Sequence, residues 1–240
     1  MHLRLTPIFL AAAFLLVPGS SGIELPGMFG RHAVLQRGKA VPVWGWGRPG
    51  EKVEVRFAGQ VEHGEVDIEG MWRVELPPLD ANAQGQTLVA TGSESGRVAV
   101  EDILVGEVWM ASGQSNMQWA LSATERAAKD IPAADHPGLR MFLTDLTTAA
   151  SPRRRVGGEW SVTTPESVGK FSAVGYYFAL KLYRELGVPV GIIRTAWGGK
   201  PAEAFTSRET LSDEPEGRAL LQKLDAEMRR FDLAAAEASY

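Results

Sequence analysis

The sequence contains no cysteine, and among its 240 residues it has only two asparagines. Without cysteine the chain cannot form disulfides, so packing must supply its stability. Neither Asn82 nor Asn116 begins an Asn-x-Ser/Thr acceptor for glycosylation. These absences fit an exported bacterial protein better than a secretory protein of an animal cell.

A strong excess of one charge and a long apolar run are also missing. The formal net charge is −4, with 22% charged and 45% hydrophobic residues. This composition is typical of a globular protein and gives no reason to expect binding to nucleic acid or to a membrane surface. At the N-terminus, His2 and Arg4 precede an apolar segment at 8–17 and small residues at 19–22.

The N-terminal layout predicts a signal peptide at 1–22 and a secreted or periplasmic protein. The apolar segment is too short to favour the alternative, an uncleaved membrane anchor. No membrane association is expected after cleavage.

Residues 23–102 have the pattern of a small β-sandwich, with turn signals about every eight to twelve residues. Val53, Val55 and Phe57 alternate with polar residues, as does the series Trp72, Val74 and Leu76. Such alternation indicates strands with one buried face. The pair Trp44 and Trp46 fits core packing, with a sugar-stacking platform as the alternative. This part contains no convergent catalytic cluster, so we expect it to be non-catalytic.

Residues 103–240 alternate between apolar strands and helices, which predicts a parallel α/β sheet. Strands are expected at 104–111, 139–143 and 188–197, and a helix at 171–186 with Ser172 and Gly187 as its caps. A predicted apolar stripe on that helix has four members: Phe171, Val174, Phe178 and Leu182. A tail helix after residue 212 carries a second stripe, at Leu220, Leu224, Met228 and Phe231, which must pack against something.

The chemistry centres on the turn that follows the first of these strands. The strand pattern ends at Gly113, and the turn that follows exposes Ser115. A helix is then expected from Gln118 to Leu121. A serine at such a turn can act as a nucleophile, and the amides and positive dipole end of the helix would stabilise negative charge beside it. The alternative is that Ser115 only caps the helix.

The turn belongs to a longer string, Gly-Glu-Val-Trp-Met-Ala-Ser-Gly-Gln-Ser-Asn-Met at 106–117, which resembles the nucleophile block of the sialate O-acetylesterase family, a branch of the SGNH hydrolases. Further blocks resemble the family in the same order: Leu-Pro-Gly-Met-Phe-Gly-Arg-His-Ala-Val-Leu-Gln at 25–36, Val-Trp-Gly-Trp at 43–46, Gly-Met-Trp-Arg-Val at 70–74, Phe-Ser-Ala-Val-Gly-Tyr-Tyr-Phe at 171–178 and Trp-Gly-Gly at 197–199. The resemblance therefore covers about 25–207.

The resemblance implies an α/β fold in which the β-sandwich precedes a flavodoxin-type parallel sheet, incomplete here and spanning 103–240. It implies an esterase that acts on O-acetylated carbohydrate without a cofactor or metal. Sialic acid acetyl groups are the family's named substrate, and acetylated xylan or another polysaccharide is the rival.

Each site residue follows from its place in these blocks. Ser115 would be the nucleophile, and its own amide would be one oxyanion donor. Gly198 or Gly199 would supply another, because glycine lets the main chain approach a ligand closely. Gln114, Asn116 and Trp197 would contact the substrate.

Three departures from the family pattern stand out. No asparagine follows Asn116, so the side-chain oxyanion donor of SGNH hydrolases is missing, and Lys200 replaces the threonine usual after Trp-Gly-Gly. The family takes its catalytic histidine and aspartate from a block beyond Gly199, where this chain has no histidine. His136, in a turn-like segment before the second strand, is the remaining candidate for the base. The chain is thus expected to be truncated and nearly inactive alone.

Other readings of the sequence remain open. The chain could be a carbohydrate-binding protein that kept the fold and lost the triad, or an inactive fragment with an exposed strand edge. The run at 153–155, three arginines, could attract a carboxylated sugar or form a solvated loop. The oligomeric state is not predicted.

Overall fold

The computed structural model describes residues 22–149 and 152–231, so the predicted signal peptide lies, apart from Gly22, outside the described residues. The strands are β1 (Val34–Gln36), β2 (Val41–Trp46), β3 (Lys52–Phe57), β4 (Gln60–Glu65), β5 (Met71–Leu76), β6 (Asn82–Gly92), β7 (Gly96–Ala111), β8 (His136–Thr144), β9 (Gly158–Thr163) and β10 (Val190–Arg194). The helices are α1 (Ser115–Gln118), α2 (Ala127–Asp130), α3 (Pro165–Val168), α4 (Ala173–Leu186), α5 (Arg208–Asp213) and α6 (Pro215–Arg230), with short 3-10 helices at Gly27–Phe29, Leu121–Ala123 and Ala202–Phe205.

The first half packs two layers of strands face to face. β4, β3, β6 and β7 are neighbours in one sheet, and β2 pairs with β5 in a second. The predicted alternation is confirmed, because Val53, Val55 and Phe57 of β3 and the apolar residues of β5 share one buried core. Trp44 packs edge-on against Phe29, with ring centroids 4.7 Å apart. Core packing therefore accounts for Trp44.

Strand β7 joins the two halves of the chain. It pairs antiparallel with β6 over its first part and parallel with β10 over residues 107–111. The sandwich sheet and the parallel sheet are therefore one eight-stranded sheet. Asp102, at the proposed domain boundary, has a left-handed φ of 57° in the middle of this strand. The division at residue 102 remains a prediction.

The mixed α/β fold class is confirmed, but its strand order differs from the flavodoxin type. That order would place β7 between β8 and β10; instead β10 lies between β7 and β8, parallel to both, and β9 is an antiparallel edge. The far edge of β7 is already paired with β1 over Leu104–Gly106, and the Gln36 side chain accepts from the Val108 amide at 2.9 Å. That edge of β7 is therefore occupied by β1 and not by β8.

Helix α4 has the predicted caps but buries a different face. Ser172 accepts a hydrogen bond from the Gly175 amide at 2.9 Å, and Gly187 ends the helix with a φ of 63°. The predicted stripe was wrong for Val174 and Phe178, which are exposed. The helix instead turns a neighbouring face, including Tyr176, Ala179 and Leu180, onto β8 and β10.

The tail helix occurs as α6, which is separated from the short helix α5 only by Glu214. Its predicted stripe is exposed at all four positions, and only the neighbouring Leu221 is buried. Within the described ranges, no segment covers this stripe, which is why the expected burial failed. Among these helices, none has the length and apolar character required to cross a membrane.

The Ser172 cap gives a test of how the fold positions the nucleophile turn. Ser172→Ala removes the acceptor for Gly175 and the contact with Met117, whose sulfur lies 3.5 Å from the Ser172 hydroxyl. Since a cap is worth about 1 kcal/mol and this one is fully buried, we expect a loss of 1–2 kcal/mol in denaturant unfolding. Ser207→Ala, which removes the exposed cap of the short helix α5, is the control and should cost much less. Equal losses of stability in the two variants would contradict the view that the buried Ser172 contacts hold α4 and the nucleophile turn together.

Candidate active site

The nucleophile turn follows β7 and is anchored to the start of α4. Gly113, with a φ of 137°, turns the chain, and α1 begins at Ser115. The predicted helix over Gln118–Leu121 was wrong, since the helix is a single turn that ends at Gln118. The chain then becomes extended because the Trp119 carbonyl accepts the Ala173 amide at 2.8 Å and Leu121 donates to the Phe171 carbonyl at 2.9 Å.

Ser115 is exposed at the first position of this turn of helix. The N-cap residue is Gln114, so the capping role considered for Ser115 is not observed. Within the described residues, the Ser115 hydroxyl has no hydrogen-bond partner, which leaves it available to a ligand. One helical turn has only a small dipole, so the expected dipole stabilisation is weak here and main-chain donors must carry more of it.

The strand β10 continues alongside the nucleophile turn. The Thr195 amide donates to the Ala111 carbonyl at 3.0 Å, and the Trp197 amide donates to the Gly113 carbonyl at 2.9 Å. This ladder brings Gly198 against Ser115: a Cβ atom on Gly198 would lie 3.5 Å from Cα and Cβ of Ser115. The serine and the first glycine thus share one rim of the sheet, as the topology predicts.

Gln118 is a site residue that sequence reasoning missed. Its side-chain oxygen accepts a hydrogen bond from the Gly198 amide at 2.6 Å. The amide expected to stabilise an oxyanion is therefore already engaged by the protein. The sequence spacing could have indicated this role. Gln118 is three residues after Ser115, and residues three apart lie on the same face of a helical turn.

The remaining predicted site residues surround this rim. Gln114, Asn116 and Gly199 are exposed, and Gly199 has a left-handed φ of 74°. The Lys200 ammonium lies 4.6 Å from the centre of the half-buried Trp197 ring. An open cavity of about 800 Å³ lies beside Trp197 and Lys200. Ser115 and Gly198 are not among its twelve lining residues, which are Ser112, Thr147, Thr148, Ala149, Thr195, Trp197, Lys200, Ala204, Phe205, Thr206, Ser207 and Leu224. This cleft is large enough for a sugar.

The histidine candidate for the base is at the wrong end of the sheet. His136 begins β8, whereas the site lies beyond the carboxyl ends of β7 and β10, and a nine-residue strand spans about 25 Å. Burial lowers the pKa of His136, and its Nε2 has no hydrogen-bond partner. His63 is on β4 of the sandwich, and His32 is bonded to Asp102 at 2.5 Å. In the described part of the chain, no histidine is near Ser115.

The arginine run packs on the sandwich instead of the site. Arg154 pairs with Glu69 at 2.9 Å, and Arg155 pairs with Glu24 at 2.6 Å while lying 3.7 Å from the centre of the Trp46 ring. The side chains of Arg154 and Arg155 are more than half exposed. Across 22–149 and 152–231, no group of three or more His, Cys, Asp or Glu side chains is arranged to hold a metal ion.

Comparison with known proteins identifies relatives over most of this chain. The sialate O-acetylesterase of Rattus norvegicus is 29% identical over 208 residues, which is 79% of this chain and 38% of that protein. The human sialate O-acetylesterase is 28% identical and is covered over 40% of its length. The crystal structure of a carbohydrate acetylesterase from Xanthomonas citri superposes with a TM-score of 0.76 at 38% identity, covering 80% of this chain and 44% of that one. No family model matches.

The predicted relationship to the sialate O-acetylesterases is therefore confirmed. The chain spans less than half the length of each of these relatives.

Proposed function

We propose that this relative of the sialate O-acetylesterases forms the nucleophile half of an esterase that removes acetyl groups from carbohydrate, with Ser115 as nucleophile. The main support is the exposed, unbonded Ser115 hydroxyl on the same rim as the Gly198 main chain. The sugar-sized cleft beside Trp197 gives further support. The acetylesterase relatives supply the reaction class.

In the proposed reaction, the Ser115 oxygen attacks the acetyl carbonyl and loses its proton to a base. The carbonyl oxygen becomes an oxyanion, which the amides of Ser115 and Gly198 stabilise. The tetrahedral intermediate then collapses to acetyl-Ser115 and releases the sugar hydroxyl, and water later frees acetate. A single oxyanion donor is worth about 3 kcal/mol, so the Gly198 amide matters even though it must exchange Gln118 for the oxyanion.

We infer that the base is supplied by residues other than the three histidines of the described chain. None of these imidazoles is near Ser115, and an unassisted serine hydroxyl is a weak nucleophile. The 240-residue chain by itself is therefore expected to turn over slowly. This deficiency offers a direct test of the nucleophile, because a small base added to the solution can take the place of the missing imidazole.

The test measures acetate released from an acetylated xylo-oligosaccharide with and without added imidazole. We expect imidazole to raise the rate with the 240-residue chain but not with Ser115→Ala, after subtraction of the rate without protein. Ser112→Ala, which removes another exposed serine hydroxyl three residues before Ser115, is the matched control and should keep the rescue. An equal response of all three proteins would overturn the proposal, and sugar binding without any rescue would favour a non-catalytic binding protein.

Gln118 gives a second prediction within the same site. Gln118→Leu leaves the Gly198 amide without its partner at the rim. Since the Gly198 amide must leave Gln118 to reach the oxyanion, we expect the imidazole-rescued rate to rise severalfold, with little change in the melting temperature. Ser122→Leu, at an exposed position four residues after Gln118, controls for a general effect of leucine near this turn. A Gln118→Leu rate equal to or below that of the parent would show that Gln118 does not compete with the oxyanion for the Gly198 amide.

The substrate and location complete the proposal. Acetylated xylan and acetylated sialic acid are the two candidate substrates. They are distinguished by comparing the imidazole-rescued rates of acetate release at equal acetyl concentration. Export is proposed from the segment at 1–22 alone. Expression with and without that segment, followed by fractionation, tests it: the protein is expected outside the cytoplasm only when the segment is present.

A further inference from the structure

Arg194 is a buried cation for which the described chain provides no partner. It is the last residue of β10 and is only 7% exposed. Its Nε atom is fully buried and has no hydrogen-bond partner. Its main-chain carbonyl accepts the Thr144 hydroxyl at 2.9 Å, which fixes the backbone from which the side chain extends. The guanidinium plays no part in the esterase mechanism above.

An unpaired guanidinium in this environment is costly. Arginine stays protonated at neutral pH, although burial lowers the pKa of Arg194 below its ordinary value. Desolvating an unpaired ion costs several kcal/mol, so buried charges are normally paired with an anion. Asp145 and Glu159 line the same cavity, yet both are exposed, and among the described residues neither forms an ion pair with Arg194. The position is therefore prepared for an anion that the described residues do not supply.

The cavity beside Arg194 has the size and polarity for a small ligand. It measures about 490 Å³, and its lining includes Lys170 as a second cation together with Thr144 and Ser161, whose hydroxyls donate to main-chain carbonyls and can still accept a hydrogen bond. It lies where β8 and β10 end, so it continues the same rim as the cleft that holds Trp197 and Lys200. The planar fork of a guanidinium matches the two oxygens of a carboxylate, whereas the hydroxyls suit the hydroxyl groups of a sugar.

We propose that the Arg194 cavity binds the carboxylate of an acidic sugar, with Arg194 as its bidentate partner. The choice of a sugar rests on the proposed function and on the adjoining cleft. Binding of the carboxylate rests on Arg194 itself. The ligand replaces the solvation that the guanidinium has lost, and Lys170 contributes a second positive charge at the mouth of the cavity.

Calorimetric titration of the 240-residue chain with glucuronate tests the proposal. Glucose is the neutral match, and sulfate at equal ionic strength is the inorganic anion. We expect glucuronate to bind at least tenfold more tightly than either, and Arg194→Met to lose that preference. Arg153→Met, which removes an exposed arginine, is the control and should bind as the parent does. Absence of glucuronate binding, equal binding of sulfate, or binding that survives Arg194→Met would each overturn the proposal.

Two further variants separate this result from the esterase proposal and from pairing within the chain. Ser115→Ala should bind glucuronate unchanged, so the carboxylate site can fail while the esterase proposal stands, or the reverse. Arg194→Met should also raise the melting temperature of the ligand-free protein, because it replaces an unpaired buried ion with an apolar side chain. A large fall in melting temperature for Asp145→Asn, with a similar fall for Arg194→Met, would show an internal ion pair and overturn the proposal.

Discussion

The purified 240-residue chain is expected to release acetate from an acetylated sugar on the order of 10⁶-fold more slowly than a serine esterase with a complete triad. The reason is geometric: Ser115 has neighbouring main-chain donors, but the histidines of the described chain lie in the sandwich or at the amino end of β8. Acetate release should be followed over hours with protein at high concentration, so that a rate this low remains measurable.

The matched variant for this experiment is His136→Gln, which removes the one histidine of the parallel-sheet half of the chain. We expect it to leave the slow rate unchanged, because His136 lies about 25 Å from the site end of β8. Brisk turnover that depends on Ser115 would contradict the account, since it would require a base already present in the chain. If His136→Gln abolished that turnover, His136 would be the base.

Gly106→Ala is expected to destabilise the protein by about 3 kcal/mol or more, lowering the melting temperature by roughly 6 °C or more. A Cβ atom at this position would lie 1.9 Å from the main-chain oxygen of Pro189. The same oxygen accepts the Glu107 amide at 2.9 Å, where β10 starts to pair with β7. Since the clash is with backbone, relief requires β10 to move away from β7, and the Ser115–Gly198 approach would open with it.

Gly169→Ala is the matched control for Gly106→Ala. Its Cβ would meet Ile131 and Ser122 only at 3.7 and 3.8 Å, an ordinary contact distance, and its φ of −57° is compatible with alanine. We expect no loss and up to about 1 kcal/mol of gain from the restricted unfolded chain. Thermal melts followed by circular dichroism compare the two variants. Similar melting temperatures would contradict the view that close approach at Gly106 holds β10 in place.

The elements with a clear local pattern were predictable from the sequence. The alternation of Val53, Val55 and Phe57 specifies a strand with one buried face whatever lies beyond it. Ser172 and Gly187 mark the ends of α4 because capping chemistry is local. The position of Ser115 near Gly198 was also predictable, because parallel strands end at a common rim. The approach of the two main chains is the finding that connects fold and chemistry.

What the sequence did not reveal depends on long-range contacts. The order of β7, β10 and β8 depends on which strands pair, and periodicity does not encode strand pairing. Trp119 is extended instead of helical because its carbonyl accepts a hydrogen bond from the Ala173 amide of α4. This is a tertiary contact between segments far apart in sequence. Gln118 was missed for the same reason, since its partner is a main-chain amide 80 positions away. The burial of Arg194 likewise arises from neighbouring strands.

The most direct measurement for the central claim is peptide mapping after reaction with a serine-directed fluorophosphonate in the presence of imidazole. The account predicts a single adduct on the peptide that contains Ser115, and none at that position in Ser115→Ala. Modification spread over several exposed serines, or no modification while acetate release continues, would show that the hydroxyl beside Gly198 is not the nucleophile.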